Sequence, residues 1–247
     1  SAPAISTATG GGSVDYEYEL RVGSPDPAEG DGFGAGGYGL GDYGEPSEEG
    51  ADSIVFEPRI WNLDRYGDLL LANPGNGGLY LFDPADTPAY QRPPLIANAP
   101  TVCRYAFVTD ERFIFALGVD NDPLNIKWAD QDDPTQWTPG STSTANSRRL
   151  REGTRIIAGK SIGNFLTGIL TDTALYQFQY TGSSFIYDSK LVGSNCGLVS
   201  PLAMVDRLGA LFWMSQASFY MWGGGAPQEI PNVTDIREFV RKALRLS

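Results

Sequence analysis

Residues 60–84 read Ile60-Trp61-Asn62-Leu63-Asp64-Arg65-Tyr66-Gly67-Asp68-Leu69-Leu70-Leu71-Ala72-Asn73-Pro74-Gly75-Asn76-Gly77-Gly78-Leu79-Tyr80-Leu81-Phe82-Asp83-Pro84. Asp68–Ala72 is a short apolar run, Asn73–Gly78 is a cluster of turn formers, and Leu79–Phe82 is a second apolar run closed by Asp83-Pro84. Two short apolar runs joined by Gly, Asn and Pro predict a β-hairpin, because those residues supply the backbone angles that a reversal needs.

The same grammar returns three times. Arg112–Leu117 and Leu124–Trp128 flank a turn at Gly118–Pro123, and Asn164–Leu170 and Ala174–Tyr180 flank Thr171-Asp172-Thr173. Ala210–Ser215 and Ser218–Trp222 make the fourth pair, followed by Gly223-Gly224-Gly225. Further strands are expected at Cys103–Val108, Phe185–Val192 and Ser200–Val205, and one opening at Arg155–Ala158, whereas 83–100 and 129–149 read as connections. The hairpins recur at intervals of about 44 to 52 residues, the period of a four-stranded blade. The expected fold is mainly β, a propeller-like array of antiparallel hairpins; a β-sandwich with similar hairpins is the alternative. Blades bury their faces only by stacking on neighbours.

Three segments are expected: 1–53, an N-terminal strand and an arm; 54–233, the propeller-like domain; and 234–247, an amphipathic helix. In the first, Val14–Val22 alternates strictly, with Val14, Tyr16, Tyr18, Leu20 and Val22 on one face. Residues 23–53 are Gly-rich and acidic, a composition that buries too little surface to offset its ordering entropy. They read either as a flexible loop or as an arm laid on a neighbouring subunit, with Phe33, Tyr38 and Tyr43 as its anchors. In the last, Ile236, Phe239, Val240, Ala243 and Leu244 recur at helical spacing, with Asp235 early and Arg and Lys late, the order a helix dipole favours. Because the chain starts at Ser1 rather than Met, a trimmed form is expected, and the helix has scope to continue beyond Ser247.

Composition narrows the function. With no His, serine- and cysteine-nucleophile pairs that use histidine and His-ligated zinc sites drop out. The formal net charge of −12 disfavours adhesion to nucleic acid, while permitting a wall past which DNA slides. No apolar run is long enough to span a bilayer. Cys103 and Cys196 read as two buried thiols, with a disulfide as the alternative. Asp130, Asp132 and Asp133 share one loop but lack the calcium-loop pattern, and read as a solvated acidic turn. The two Gly-Gly-Gly clusters are not phosphate loops, as no P-loop lysine follows them. Trp61, Trp128, Trp137, Trp213 and Trp222 are expected between blades, with a sugar or base platform as the alternative. No catalytic residue, cofactor site or metal site is expected.

Four phrases in order carry a resemblance: Gly32–Gly44 (GFGAGGYGLGDYG), Trp61–Ala72 (WNLDRYGDLLLA), Ile126–Trp137 (IKWADQDDPTQW) and Leu211–Gly224 (LFWMSQASFYMWGG). Together they resemble the tail hub or nozzle proteins of tailed bacteriophages, including the packaged-DNA stabilisation type of short-tailed phages, over about Gly32 to Phe239. That resemblance implies a propeller-containing virion subunit without enzymatic activity, in a hexameric ring at the end of the tail channel that retains packaged DNA and conducts it during ejection. It also implies contacts with the tail adaptor or portal and with fibre or needle proteins. Members of the family continue well past the region of Phe239, which leaves the blade count open. A propeller glycosidase and a carbohydrate-binding propeller, both directed at host surface polysaccharide, are the rival readings.

Overall fold

In a computed structural model the structure describes residues 60–85, 93–182 and 186–231. The chain divides into two compact units, Ser1–Arg59 and Ile60–Ser247, and every described residue belongs to the second. The strand expected at Val14–Val22, the arm 23–53 with Phe33, Tyr38 and Tyr43, and the helix expected over 234–247 lie outside the described residues.

The four expected hairpins are present, each as the second and third strands of a meandering antiparallel sheet. Blade I is β1 (Asn62–Tyr66), β2 (Leu69–Asn73) and β3 (Tyr80–Phe82). Its outer edge is closed by 94–96, where the Leu81 N–H donates to the Pro94 carbonyl and the Ile96 N–H to Leu79. Blade II is β4 (Tyr105–Val108), β5 (Ile114–Leu117), β6 (Asn125–Trp128) and β7 (Asn146–Arg149). Blade III is β8 (Ile156–Gly163), β9 (Leu166–Thr171), β10 (Ala174–Tyr180) and β11 (Tyr187–Ser194). Blade IV is β12 (Met204–Arg207), β13 (Ala210–Met214), β14 (Phe219–Trp222) and β15 (Gln228–Glu229). The first strands β1, β4, β8 and β12 run side by side in that order, the arrangement of a four-bladed β-propeller.

Strand periodicity explains how the blades stack. Successive side chains of β5 leave opposite faces of the sheet. Ile114 and Ala116 therefore enter a core with Tyr66, Leu71 and Leu79 of blade I, while Phe115 and Leu117 enter a core with Ile169, Phe178 and Tyr187 of blade III. In β9, Ile169 faces blade II and Leu170 joins Leu211, Trp213 and Trp222 of blade IV. The II/III core is aromatic: Phe115 has its ring centroid 5.3 Å from Phe107, 5.5 Å from Trp128 and 5.0 Å, edge on, from Tyr187. A fully buried Phe contributes about 2–3 kcal/mol from transfer alone, so this cluster holds blades II and III as one body.

Glycines set the closeness of those contacts at two places. A Cβ on Gly159 of β8 would sit 2.6 Å from the Phe107 ring of blade II, and one on Gly168 of β9 would sit 3.0 Å from the Trp222 ring of blade IV. Blade III is thus kept bare at one point on each face so that an aromatic ring can approach its backbone closely.

Four blades enclose three inter-blade cores: I with II, II with III, and III with IV. Among the described residues no buried core joins blade IV to blade I. Alternation along β12 and β13 leaves Val205 and Phe212 of blade IV outside the III/IV core, and that along β1 and β2 leaves Leu63 and Leu70 of blade I outside the I/II core. Val205, Leu63 and Leu70 are exposed.

Three expectations are corrected in detail, and one strand was not expected. Asn62–Tyr66 is a strand, tied to β2 through a two-residue reversal at Gly67-Asp68 in which Gly67 takes φ 63°. Residues 146–149, expected in a polar connection, form β7, wholly exposed and held to β6 by its backbone. Asn164 and Phe165, expected to open β9, are instead its turn, with φ of 52° and 61°. The strand expected at Ser200–Val205 begins at Met204.

Candidate ligand site at the propeller axis

Where the four first strands meet lies a cavity of about 270 Å³. Each blade sends one polar side chain into it: Asn62 from β1, Tyr105 from β4, Lys160 from β8 and Asp206 from β12. Trp61, Leu63, Leu202 and Val205 form an apolar border, and all four are exposed.

Hydrogen bonds anchor one wall. The edge of β4 that faces β1 needs acceptors for its N–H groups, since β5 serves only the other edge. Asn62 Oδ1 accepts from the Ala106 N–H at 3.1 Å, and Asp64 Oδ2 accepts from the Val108 N–H at 3.0 Å. Asn62 and Asp64 share a face of β1, so two side chains replace a missing backbone partner. Lys160 Nζ stands 3.7 Å from Asp64 Oδ1, which links blade III to the same carboxylate. At that distance, with Lys160 about one-third exposed, the pair steers more than it stabilises.

The Tyr105 phenol is pushed up to about 12, first by burial and then by the carboxylates of Asp64 and Asp206, with the Asn62 side chain acting in the opposite sense. At neutral pH it is therefore a protonated hydroxyl that both donates and accepts. One carboxylate, one ammonium, one amide and one phenol line the cavity, with the Asp64 carboxylate beside Lys160.

The tryptophan expectation holds for four residues. Trp128, Trp137, Trp213 and Trp222 are buried in inter-blade cores. Trp61 departs from it: 56 % exposed, it stands at the cavity mouth. It precedes β1, whose pairing with β2 begins at Asn62.

The other sequence-predicted residues are placed as follows. Cys103 and Cys196 are buried and unpaired, Cys103 in the I/II core and Cys196 in the III/IV core. Burial pushes the Cys103 thiol up to about 12, far from a reactive thiolate. The acidic loop is built into its own turn. Asp130 accepts from the backbone N–H groups of Gln131 and Thr144 and from the Thr144 hydroxyl, Asp132 pairs with Arg112, and Asp133 accepts from the Thr135 N–H and hydroxyl. Among the described residues no three acidic, His or Cys side chains gather as a metal site, and no helix is long and apolar enough to cross a membrane.

The axial residues escape a motif search because each stands alone on its strand, in a different blade. Their common signal is the blade period itself, which brings Asn62, Tyr105, Lys160 and Asp206 to corresponding first strands. Compared with known protein families and with curated proteins, the chain matches none.

Proposed function

We propose that this protein is a structural subunit of a bacteriophage tail, assembling with copies of itself into a ring-shaped hub or nozzle that retains packaged DNA and lets it pass during ejection. The observation that carries this reading is the propeller arrangement. The four-phrase resemblance implies that fold, and two of its phrases, Trp61–Ala72 and Leu211–Gly224, supply hairpin strands of the two end blades, I and IV. The apolar side chains left outside the cores on those two blades give the subunit surface to bury in an assembly.

Charge is distributed in a way that suits the reading. Residues 1–59 hold twelve of the thirty Asp and Glu and only two of the eighteen Lys and Arg. The acidic excess thus resides mainly in the N-terminal segment, and like charge there disfavours phosphate adhesion. Ring assembly would use self-contacts of a hexamer, with the tail adaptor or portal on one side and a fibre or needle protein on the other.

Sedimentation velocity on purified protein tests this. A ring of six 26.7 kDa chains sediments as a species of about 160 kDa. A single monomeric boundary that persists as concentration rises contradicts it.

A further inference from the structure

We infer that the axial cavity is a binding site for a neutral pyranose sugar, with the Trp61 ring as its stacking face and Asn62, Tyr105, Lys160 and Asp206 as the groups that read its hydroxyls.

The chemistry of the lining selects this class by elimination. A phosphate or carboxylate ligand would meet the Asp206 carboxylate, and the one ammonium of the lining, Lys160, already stands beside Asp64. A small cation would meet that same ammonium. A wholly apolar ligand would take Asp206 and Lys160 out of water without replacing their hydrogen bonds. A pyranose avoids all three penalties. Its hydroxyls donate to Asp206 and accept from Lys160, and they do both with the Asn62 amide and the protonated Tyr105 hydroxyl.

Shape agrees with charge. The cavity volume of about 270 Å³ equals about nine waters, the scale of one sugar ring with its hydroxyl groups. A pyranose has a polar edge and an apolar C–H face, and the cavity has polar groups within and an exposed indole at its mouth. All four blades contribute, so the site exists only in the assembled propeller. It rests on cavity geometry and not on the phage reading, and the two fail separately: sugar binding does not report subunit mass.

The five tryptophans make the test direct, because Trp61 alone is exposed and so dominates acrylamide quenching. The probes are the methyl glycosides of glucose, galactose and mannose, together with N-acetylglucosamine, each followed by calorimetry and by protection of Trp61 from quenching. The expected result is that at least one binds with a Kd of about 1 mM or tighter and shields Trp61. Trp61→Ala and Asp206→Ala should each weaken it at least about tenfold, whereas Leu191→Ala, a change at an exposed apolar residue of β11, leaves it unaltered. Both cavity positions are exposed, so the variants keep the fold, and an unchanged melting curve verifies this. The inference is overturned if no glycoside binds up to about 50 mM or if binding survives both cavity substitutions. It is also overturned if inorganic phosphate or tetramethylammonium binds there in place of every sugar.

Discussion

Leu208 illustrates how much of this fold is written in single backbone angles. It sits in the two-residue turn between β12 and β13 with φ 52° and is 94 % exposed. A left-handed conformation costs an L-residue about 1–2 kcal/mol, less for Asn, whose short polar side chain tolerates it. Leu208→Asn should therefore stabilise the protein by about 0.5–1 kcal/mol, seen as a higher midpoint in chemical denaturation. The strands on either side were legible as apolar runs; the strained angle at a leucine was not, since nothing in the residue type announces it.

Asp172 supplies the pH dependence. Its carboxylate accepts from the Thr154 hydroxyl and from the Thr154 N–H at 2.8 Å, tying the β9–β10 turn to the chain that enters β8. Burial raises this carboxyl, but the bonds from Thr154 and the Arg155 N–H outweigh burial and hold it below its ordinary value. A carboxyl lowered by folding contributes stability above its unfolded pKa and loses it as pH falls through the folded one. Asp172→Asn should cost about 1–2 kcal/mol at neutral pH. The gap between variant and parent should close below about pH 3.9, as paired denaturation curves would record.

At the scale of elements, the sequence revealed strands that bury a face and concealed those that bury none. β5, β9 and β10 showed apolar runs because both of their faces meet neighbouring blades, whereas the hairpin strands of the end blades I and IV bury one face against a neighbour. β7, Asn146–Arg149, is exposed at every position, so no periodicity marks it; backbone pairing to β6 and its arginines, which discourage edge-to-edge pairing, define it instead. Inter-blade contact can be tested at Gly159, where a methyl group would press into the Phe107 ring. Gly159→Ala should destabilise by about 1–3 kcal/mol. Gly140→Ala, a change at a loop position with open space around it, should stay within about 0.5 kcal/mol. Equal effects from both would remove the close approach as the reason for glycine in β8.

At the scale of the whole molecule, the propeller was legible from the repeat of its hairpins. The axial site was not, because four single residues on four strands converge only after the blades have been placed. Phe33, Tyr38 and Tyr43 belong to this scale as well, as anchors proposed to bury on a neighbouring subunit. Partial burial of three aromatics contributes several kcal/mol at about 25 cal/mol per Å², enough to offset part of the ordering cost of a glycine-rich segment. Replacing all three by Ser should lower the assembled fraction in sedimentation while leaving the melting curve of the subunit unchanged. Loss of folding in the triple variant would instead assign those residues to the subunit itself.

The measurement that bears most directly on the proposed role is negative-stain imaging of the purified protein at the concentration where assembly is complete. The account predicts closed rings with a central opening, six copies around it, and propeller density in each. Isolated single propellers across the field, with no closed ring at any concentration, would contradict it.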